Sequence, residues 1–293
     1  MMEGLRFGVT VVQSDPYPVL AEKWRYFEEL GFDSLWHCDH LLRSLDPTAP
    51  LFEGWTLLAA LAAETSRIRV GTLVSSNVLR HPALLAQQAI TVDHISEGRL
   101  EVGIGCGWFE EEHRRFGIPL FEPGVRVDRF SEAMVIIDRL LRGEPVSHHG
   151  RHYELSEARL RPRPVQRPRP PFTVAAHGRR MLRICARFGD RWNSFGTVEE
   201  IGERNRILDA ECDRIGRDPT EISRSVHIEA FTTAPQGLPD IWSSHGAFTE
   251  VVGRYAEAGA NEFTITQPGP GQYETAERIA SEVIGAPVSG RGL

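Results

Sequence analysis

Apolar positions along this chain alternate between two periods. Segments with helical spacing include KWRYFEELG, LAALAAETSR, AITVDHISEG, MLRICARFG and VVGRYAEAG. Each is followed by a short apolar run: FDSLWHCDH, IRVGTLVSS, RLEVGIGCGW, DRWNSFGT and ANEFTITQP respectively. Most of the helical segments close on a Gly, the residue that lets a helix end in the left-handed conformation and the chain reverse. With RFGVTVVQ, PFTVAAHG and SRSVHIEAF the runs make eight strands. They are near-continuously apolar, as strands covered on both faces are. This alternation predicts an α/β fold with a parallel sheet and helices outside it. Eight units spread over residues 1–293 predict a single domain, a closed (β/α)8 TIM barrel. An open doubly wound sheet fits less well, since a dinucleotide domain would use about half of these units. Two stretches break the rhythm. Residues 144–171, EPVSHHGRHYELSEARLRPRPVQRPRPP, read as a hairpin and a proline-rich excursion before strand five. Residues 106–125 read as a long loop after strand four, and loops at that end of a barrel build active sites.

Composition narrows the function classes. Hydrophobic residues make up 41% of the chain, enough for a large core. The net charge is −7, with the arginines scattered or gathered in RPRPVQRPRPP, so no basic face for nucleic acid is expected. No apolar run approaches the roughly 20 residues of a membrane span. MMEGLRFGVT lacks the features of a secretory signal. A cytoplasmic protein is expected, with Cys38, Cys106, Cys185 and Cys212 as reduced thiols because they form no CxxC pair.

Candidate chemistry collects at the strand ends. In EVGIGCGWF the glycines are spaced GxGxG and followed by Trp108, not arranged as the GxGxxG of a dinucleotide fold. Alternate glycines clear one face of a strand, either for a flat ligand or to relieve crowding inside the barrel. Strand two ends in Trp36-His37-Cys38-Asp39-His40. His37 and His40 lack a third ligand, so no metal is expected; Asp39-His40 suits acid–base work or a structural hydrogen bond. Strand three ends in Val74-Ser75-Ser76-Asn77, polar groups suited to a ring edge or to capping a loop. Strand five ends in Ala175-Ala176-His177-Gly178-Arg179 and enters a helix, where amides and an Arg suit a phosphate or make a plain turn. His148, His149 and His152 in the excursion are read as solvated.

The stretches FDSLWHCDHL, TSRIRVGTLVSSNVLRHPALLAQQAITVDHISEGRLEVGIGCGWFEEEH and QRPRPPFTVAAHG resemble the bacterial luciferase-like family of flavin- and deazaflavin-dependent oxidoreductases. The resemblance covers nearly the whole chain, and the EGW, RHP and GWFEEEH elements resemble the branch that uses coenzyme F420. It implies a cofactor ring across the C-terminal mouth of the barrel. The ring would lie over Val74, Ser75, Ser76, Asn77, Gly105, Cys106 and Gly107, with Ala175 and Ala176 beside it. It also implies a non-proline cis peptide among Leu73, Val74 and Ser75, and a phosphate on His177, Gly178 and Arg179. The family's common Gly-Gly reads His177-Gly178 here, a departure. Asp39-His40 match the motif in which the family's sugar-phosphate dehydrogenases place a catalytic His. Those enzymes carry a Glu after the strand-four glycines; Trp108 stands here, which argues against glucose-6-phosphate. Trp108 and Phe109 imply an aromatic wall of a substrate pocket. The expected activity is hydride transfer between F420 and a small organic substrate, with His40, oriented by Asp39, handling the proton. The alternative is an FMNH2-dependent monooxygenase that uses O2. A flavin carrier without catalysis fits the Asp39-His40 pair poorly. The resemblance also implies a homodimer.

Overall fold

The structure, a computed structural model, describes residues 4–284; the two ends of the expected 1–293 domain lie outside the described residues. The strands in chain order are β1 (Arg6–Thr10), β2 (Ser34–His37), β3 (Arg69–Thr72), β4 (Ser75–Ser76), β5 (Leu100–Gly105), β6 (Val146–His149), β7 (Glu154–Ala158), β8 (Phe172–Ala175), β9 (Arg191–Ser194), β10 (Ser223–Ile228) and β11 (Glu262–Thr266). The helices are α1 (Tyr17–Glu29), α2 (Gly54–Glu64), α3 (Pro82–Ile95), α4 (Glu110–Phe116), α5 (Pro123–Leu141), α6 (Arg179–Phe188), α7 (Val198–Asp213), α8 (Ala230–Thr233), α9 (His245–Glu257) and α10 (Tyr273–Ile279). The parallel order β1-β2-β3-β5-β8-β9-β10-β11 returns to β1, which pairs with β11 along its whole length. The expected (β/α)8 barrel is therefore closed, with β4 continuing β3 as one bulged strand. Between β3 and β4 the register against β5 slips by one residue, from Val70 opposite Leu100 to Ser75 opposite Ile104. The Leu73–Val74 peptide in that bulge is cis, within the stretch expected.

Strand alternation sorts the side chains. Phe7, Leu35, Val70, Val102, Val174, Val226 and Phe263 face outward and are buried under the helices. The helices present matching stripes: in α1, Leu20, Trp24 and Phe27 recur at helical spacing and are fully buried. The inward set is different in kind. Trp36 fills the axis and donates from Nε1 to Ser34 Oγ at 2.8 Å. A Cβ on Gly71 would stand 2.6 Å from the Trp36 ring and one on Gly8 2.9 Å from its Nε1, so those two glycines make room for the indole. Below it, Arg191 bridges Glu101 and Glu262, while Arg69 holds Glu101 and Arg6 holds Glu262. Burial pushes Glu262 up, but the Arg191 charge and hydrogen bond hold it below the usual carboxylate range. Each buried carboxylate thus has a partner, as burial requires. A void of ≈ 10 Å³ lies among Gly8, Arg69, Glu101, Arg191 and Glu262.

The excursion forms as expected in outline. β6 and β7 make an antiparallel hairpin whose turn is held by Glu132 of α5, which accepts from the amides of Arg151, His152 and Tyr153 at 3.0–3.3 Å. That corrects the reading of the three histidines as solvated. His148 lies 3.3 Å from Glu132, His152 is half-buried, and His149 alone of the three is exposed. The proline-rich run is tied to α3, where Asp93 accepts from the amides of Val165 and Gln166. The expected long loop 106–125 contains α4 and the start of α5. No described helix is long and apolar enough to cross a membrane.

Candidate active site

Alternation along β2 turns Trp36 and Cys38 to the axis and His37 outward. His37 is fully buried against Trp24, ring centroids 5.3 Å apart, and burial pushes it down to about 3. It therefore has no part at the barrel mouth. Asp39 is buried as well. Its carboxylate accepts from the Ser76 amide at 3.0 Å and from both Nη atoms of Arg80, so it pins β2 to the bulge. The expected orienting role of Asp39 on His40 is thus corrected: its lone pairs are committed elsewhere. The carboxylate on His40 is Glu112, from α4, with Oε1 3.0 Å from His40 Nδ1 and Oε2 accepting from the Leu41 amide at 2.6 Å. Glu112 is 1% exposed. Burial pushes it up, yet the hydrogen bond and charge of His40 and the Leu41 amide together bring it below the usual range. With Glu112 ionised, Nδ1 carries the hydrogen, and Nε2 makes no hydrogen bond among the described residues.

That shift has a stability consequence. The pKa of Glu112 is lower folded than unfolded, so its contribution is complete above the unfolded value of about 4.3 and is lost as pH falls through the folded value. Below about pH 5, urea stability of the wild-type protein is expected to fall more steeply than that of Glu112→Gln. Parallel profiles would remove the proposed pairing.

The glycine strand is explained from within the chain. A Cβ on Gly103 would overlap the carbonyl oxygen of Thr72. One on Gly105 would stand 2.9 Å from Val74, and one on Gly107, at φ +83°, 2.6 Å from Ser76 Oγ and Val78. The space the glycines leave is filled by the bulge, so Val74 and Ala175, and not bare glycine backbone, form the surface beside Gly105. This corrects the picture of a ring resting on Gly105 and Gly107. Cys106 turns away and packs against the core, where burial raises its thiol. Ser75 also faces outward: it is fully buried, 2.6 Å from Thr72 Oγ1 and accepting from Trp55 Nε1 of α2 at 2.9 Å. It is therefore not available to a ligand. Ser76 Oγ and Asn77 Oδ1 are different, because both are buried and without a partner.

At the end of β8, the Ala176 carbonyl accepts from Trp192, and the His177 ring meets Phe195 edge-on at 4.5 Å. Burial, aided by Arg204, pushes His177 down to about 4. Gly178 caps α6 and has open space at its Cβ position. The Arg179 guanidinium turns to Glu211 of α7 at 3.1 Å, beside Arg183 and Arg214, and the hydrogen bond from Arg183 leads in holding Glu211 down to about 2. The expected phosphate contact from the Arg179 side chain is corrected accordingly; its amide at the helix start remains.

Trp108 and Phe109 meet His40 edge-on, each with its centroid 5.7 Å away, and Trp108 is 62% exposed. Two acidic partners were missed in the sequence. One is Glu112. The other is Glu229, 2.7 Å from Nε2 of His227, whose Nδ1 lies 3.0 Å from the Thr264 carbonyl oxygen. The signal for the second was present: in VHIEA, His and Glu two apart at a strand end share one face. No cluster of three or more metal-ligating side chains occurs among the described residues.

Comparison with known proteins agrees with the fold. Residues 6–262 match the family described as luciferase-like monooxygenase. A phthiodiolone/phenolphthiodiolone dimycocerosates ketoreductase of Mycobacterium bovis (strain BCG / Pasteur 1173P2) is 33% identical over 249 residues, 76% of this chain and 64% of the relative. The chain thus spans about two-thirds of that relative's length. An F420-dependent secondary alcohol dehydrogenase, solved with an F420–acetone adduct, has the same fold at TM-score 0.83 and 18% identity, over 96% of this chain and 98% of that one. A monooxygenase from Streptomyces bottropensis matches at TM-score 0.74 and 21% identity, over 96% and 99%.

Proposed function

The chain belongs to the luciferase-like monooxygenase family, and we propose that it acts as an oxidoreductase moving a hydride between coenzyme F420 and a small organic carbonyl compound or alcohol. His40 is its proton donor and acceptor. The observation that carries this reading is the His40–Glu112 pair at the strand ends, with Nε2 free and two aromatic rings flanking it. The names of the mycobacterial ketoreductase and of the F420-dependent alcohol dehydrogenase support a carbonyl substrate.

The residues present fit a tricyclic cofactor. Ser76 Oγ and Asn77 Oδ1, buried without partners, suit the polar edge of its ring. Val74 and Ala175 offer an apolar surface. The amides of Gly178 and Arg179 suit its phosphate at the start of α6. When bound, F420 would supply a hydride donor or acceptor. The protein's own part is then limited and specific. Glu112 fixes the His40 tautomer and ring direction, so that Nε2 exchanges a proton with the substrate oxygen. Asp39, through Arg80 and the Ser76 amide, keeps the bulge in place as a positioning residue.

The second reading is an FMNH2-dependent monooxygenase, which the departure of His177-Gly178 from the common Gly-Gly leaves open and whose fold the Streptomyces monooxygenase shares. Titration of the purified protein with F420 and, separately, with FMN, read by fluorescence quenching, separates the two. F420 is expected to bind tightly and FMN weakly. Tight binding of FMN alone, with oxygen consumed on reduction, would replace the first reading by the second.

A further inference from the structure

Between α4 and the segment leading into α5 lies a solvent-open cleft of ≈ 520 Å³, referred to below as the cavity. That is within the range of roughly 300–1,000 Å³ that holds a drug-sized molecule. Ile118, Leu120, Phe121 and Trp108 give it apolar walls. Trp108 also meets His40, so one indole borders both the cavity and the proton-handling group. Two further lining residues, His113 and Arg126, carry buried polar atoms without partners. His113 is 2% exposed, and its Nδ1 lies 3.2 Å from the Ile118 carbonyl oxygen. A carbonyl only accepts, so Nδ1 carries the hydrogen and Nε2 is a buried acceptor lacking a donor. Arg126 donates from Nη1 to the Gly107 carbonyl at 2.7 Å, but its Nε–H is buried without an acceptor. Leaving such groups unmet is costly. The charged lining residues are Arg114 and Arg126 against Glu110 and Glu122, which favours no net charge in the occupant. A hydroxyl group is an uncharged function that can both accept from an Nε–H and donate to an Nε2.

We propose that this cavity holds the remote part of the substrate: an uncharged, largely apolar chain or ring system bearing a hydroxyl group, which bonds His113 and Arg126. The reacting carbonyl of the same molecule lies past Trp108, at His40. The assignment of the reacting end rests on the oxidoreductase reading; the preference of the cavity does not. Glu110 and Glu122 offset the two arginines, so the lining carries no net positive charge to recruit a sugar phosphate or another anion.

Calorimetric titration of the cofactor-free protein with a terminally hydroxylated decanone and with plain decanone tests it. The hydroxylated compound is expected to bind about tenfold more tightly. His113→Phe should erase that preference while keeping decanone binding, and Leu120→Trp, at the wall, should weaken both ligands. Equal affinities in the wild-type protein, as when water alone satisfies the two atoms, overturn the proposal. So does unaltered binding in Leu120→Trp, which keeps the test decisive should His113→Phe not fold. The F420 titration is read separately on the same protein. Absent F420 binding with the hydroxyl preference intact sinks the F420 reading alone, and the converse sinks the cavity alone.

Discussion

Gly103→Ala is expected to cost about 3 kcal/mol or more, of order 10 °C in Tm, or to leave the protein insoluble. The physical ground is where the new methyl would go. It would overlap the Thr72 carbonyl oxygen and crowd Val74 at 3.2 Å. Neither is the far end of a flexible side chain: Thr72 is backbone at the last residue of β3, and Val74 sits in the bulge. Relief would need the β3–β5 pair to separate, and with it the closure of the barrel. Gly178→Ala is the control, since nothing lies within 4 Å of its Cβ position, and it should cost less than about 1 kcal/mol. Thermal unfolding followed by circular dichroism measures both. A Gly103→Ala protein within 1 kcal/mol or so of wild type would mean that β3 does not lie against β5 in this register.

His40→Ala is expected to slow turnover by about 100-fold or more while leaving F420 affinity within a few-fold, the signature of a lost proton donor or acceptor. Two neighbours sharpen the test. Glu112→Gln keeps a side-chain acceptor for the Leu41 amide but removes the charge facing His40, so turnover should fall by a smaller factor, about tenfold. Asp39→Asn should instead weaken cofactor binding, because the Asp39 bonds run to Arg80 and the Ser76 amide, not to His40. Stopped-flow kinetics with bound cofactor, combined with the binding titration, separates these outcomes. Full turnover in His40→Ala would remove it from the chemistry.

What could be read in the sequence was what depends on local pattern. Alternating periods identified all eight barrel strands, and the position of His40 at a strand end marked it as a candidate. The failures were failures of direction and of distance. In Ser75-Ser76 the bulge decides which hydroxyl faces α2 and which is left unpartnered, and a one-residue slip reverses the two. In GWFEEEH three glutamates follow one another, and only the way α4 folds back, from a point 72 residues beyond His40, selects Glu112. Arg179 is adjacent to Gly178 in sequence, yet its side chain is drawn across to Glu211 on the next helix. The glycines of EVGIGCGWF were recognised as clearing space, but not that the chain's own Thr72 and Val74 take that space.

The floor of the barrel has one more consequence. Trp36 and the Arg191-centred ion pairs stopper the axis and leave a void about the size of a single water molecule. A vessel sealed at its base has one door. Molecules that react at the strand ends therefore reach them from the mouth side.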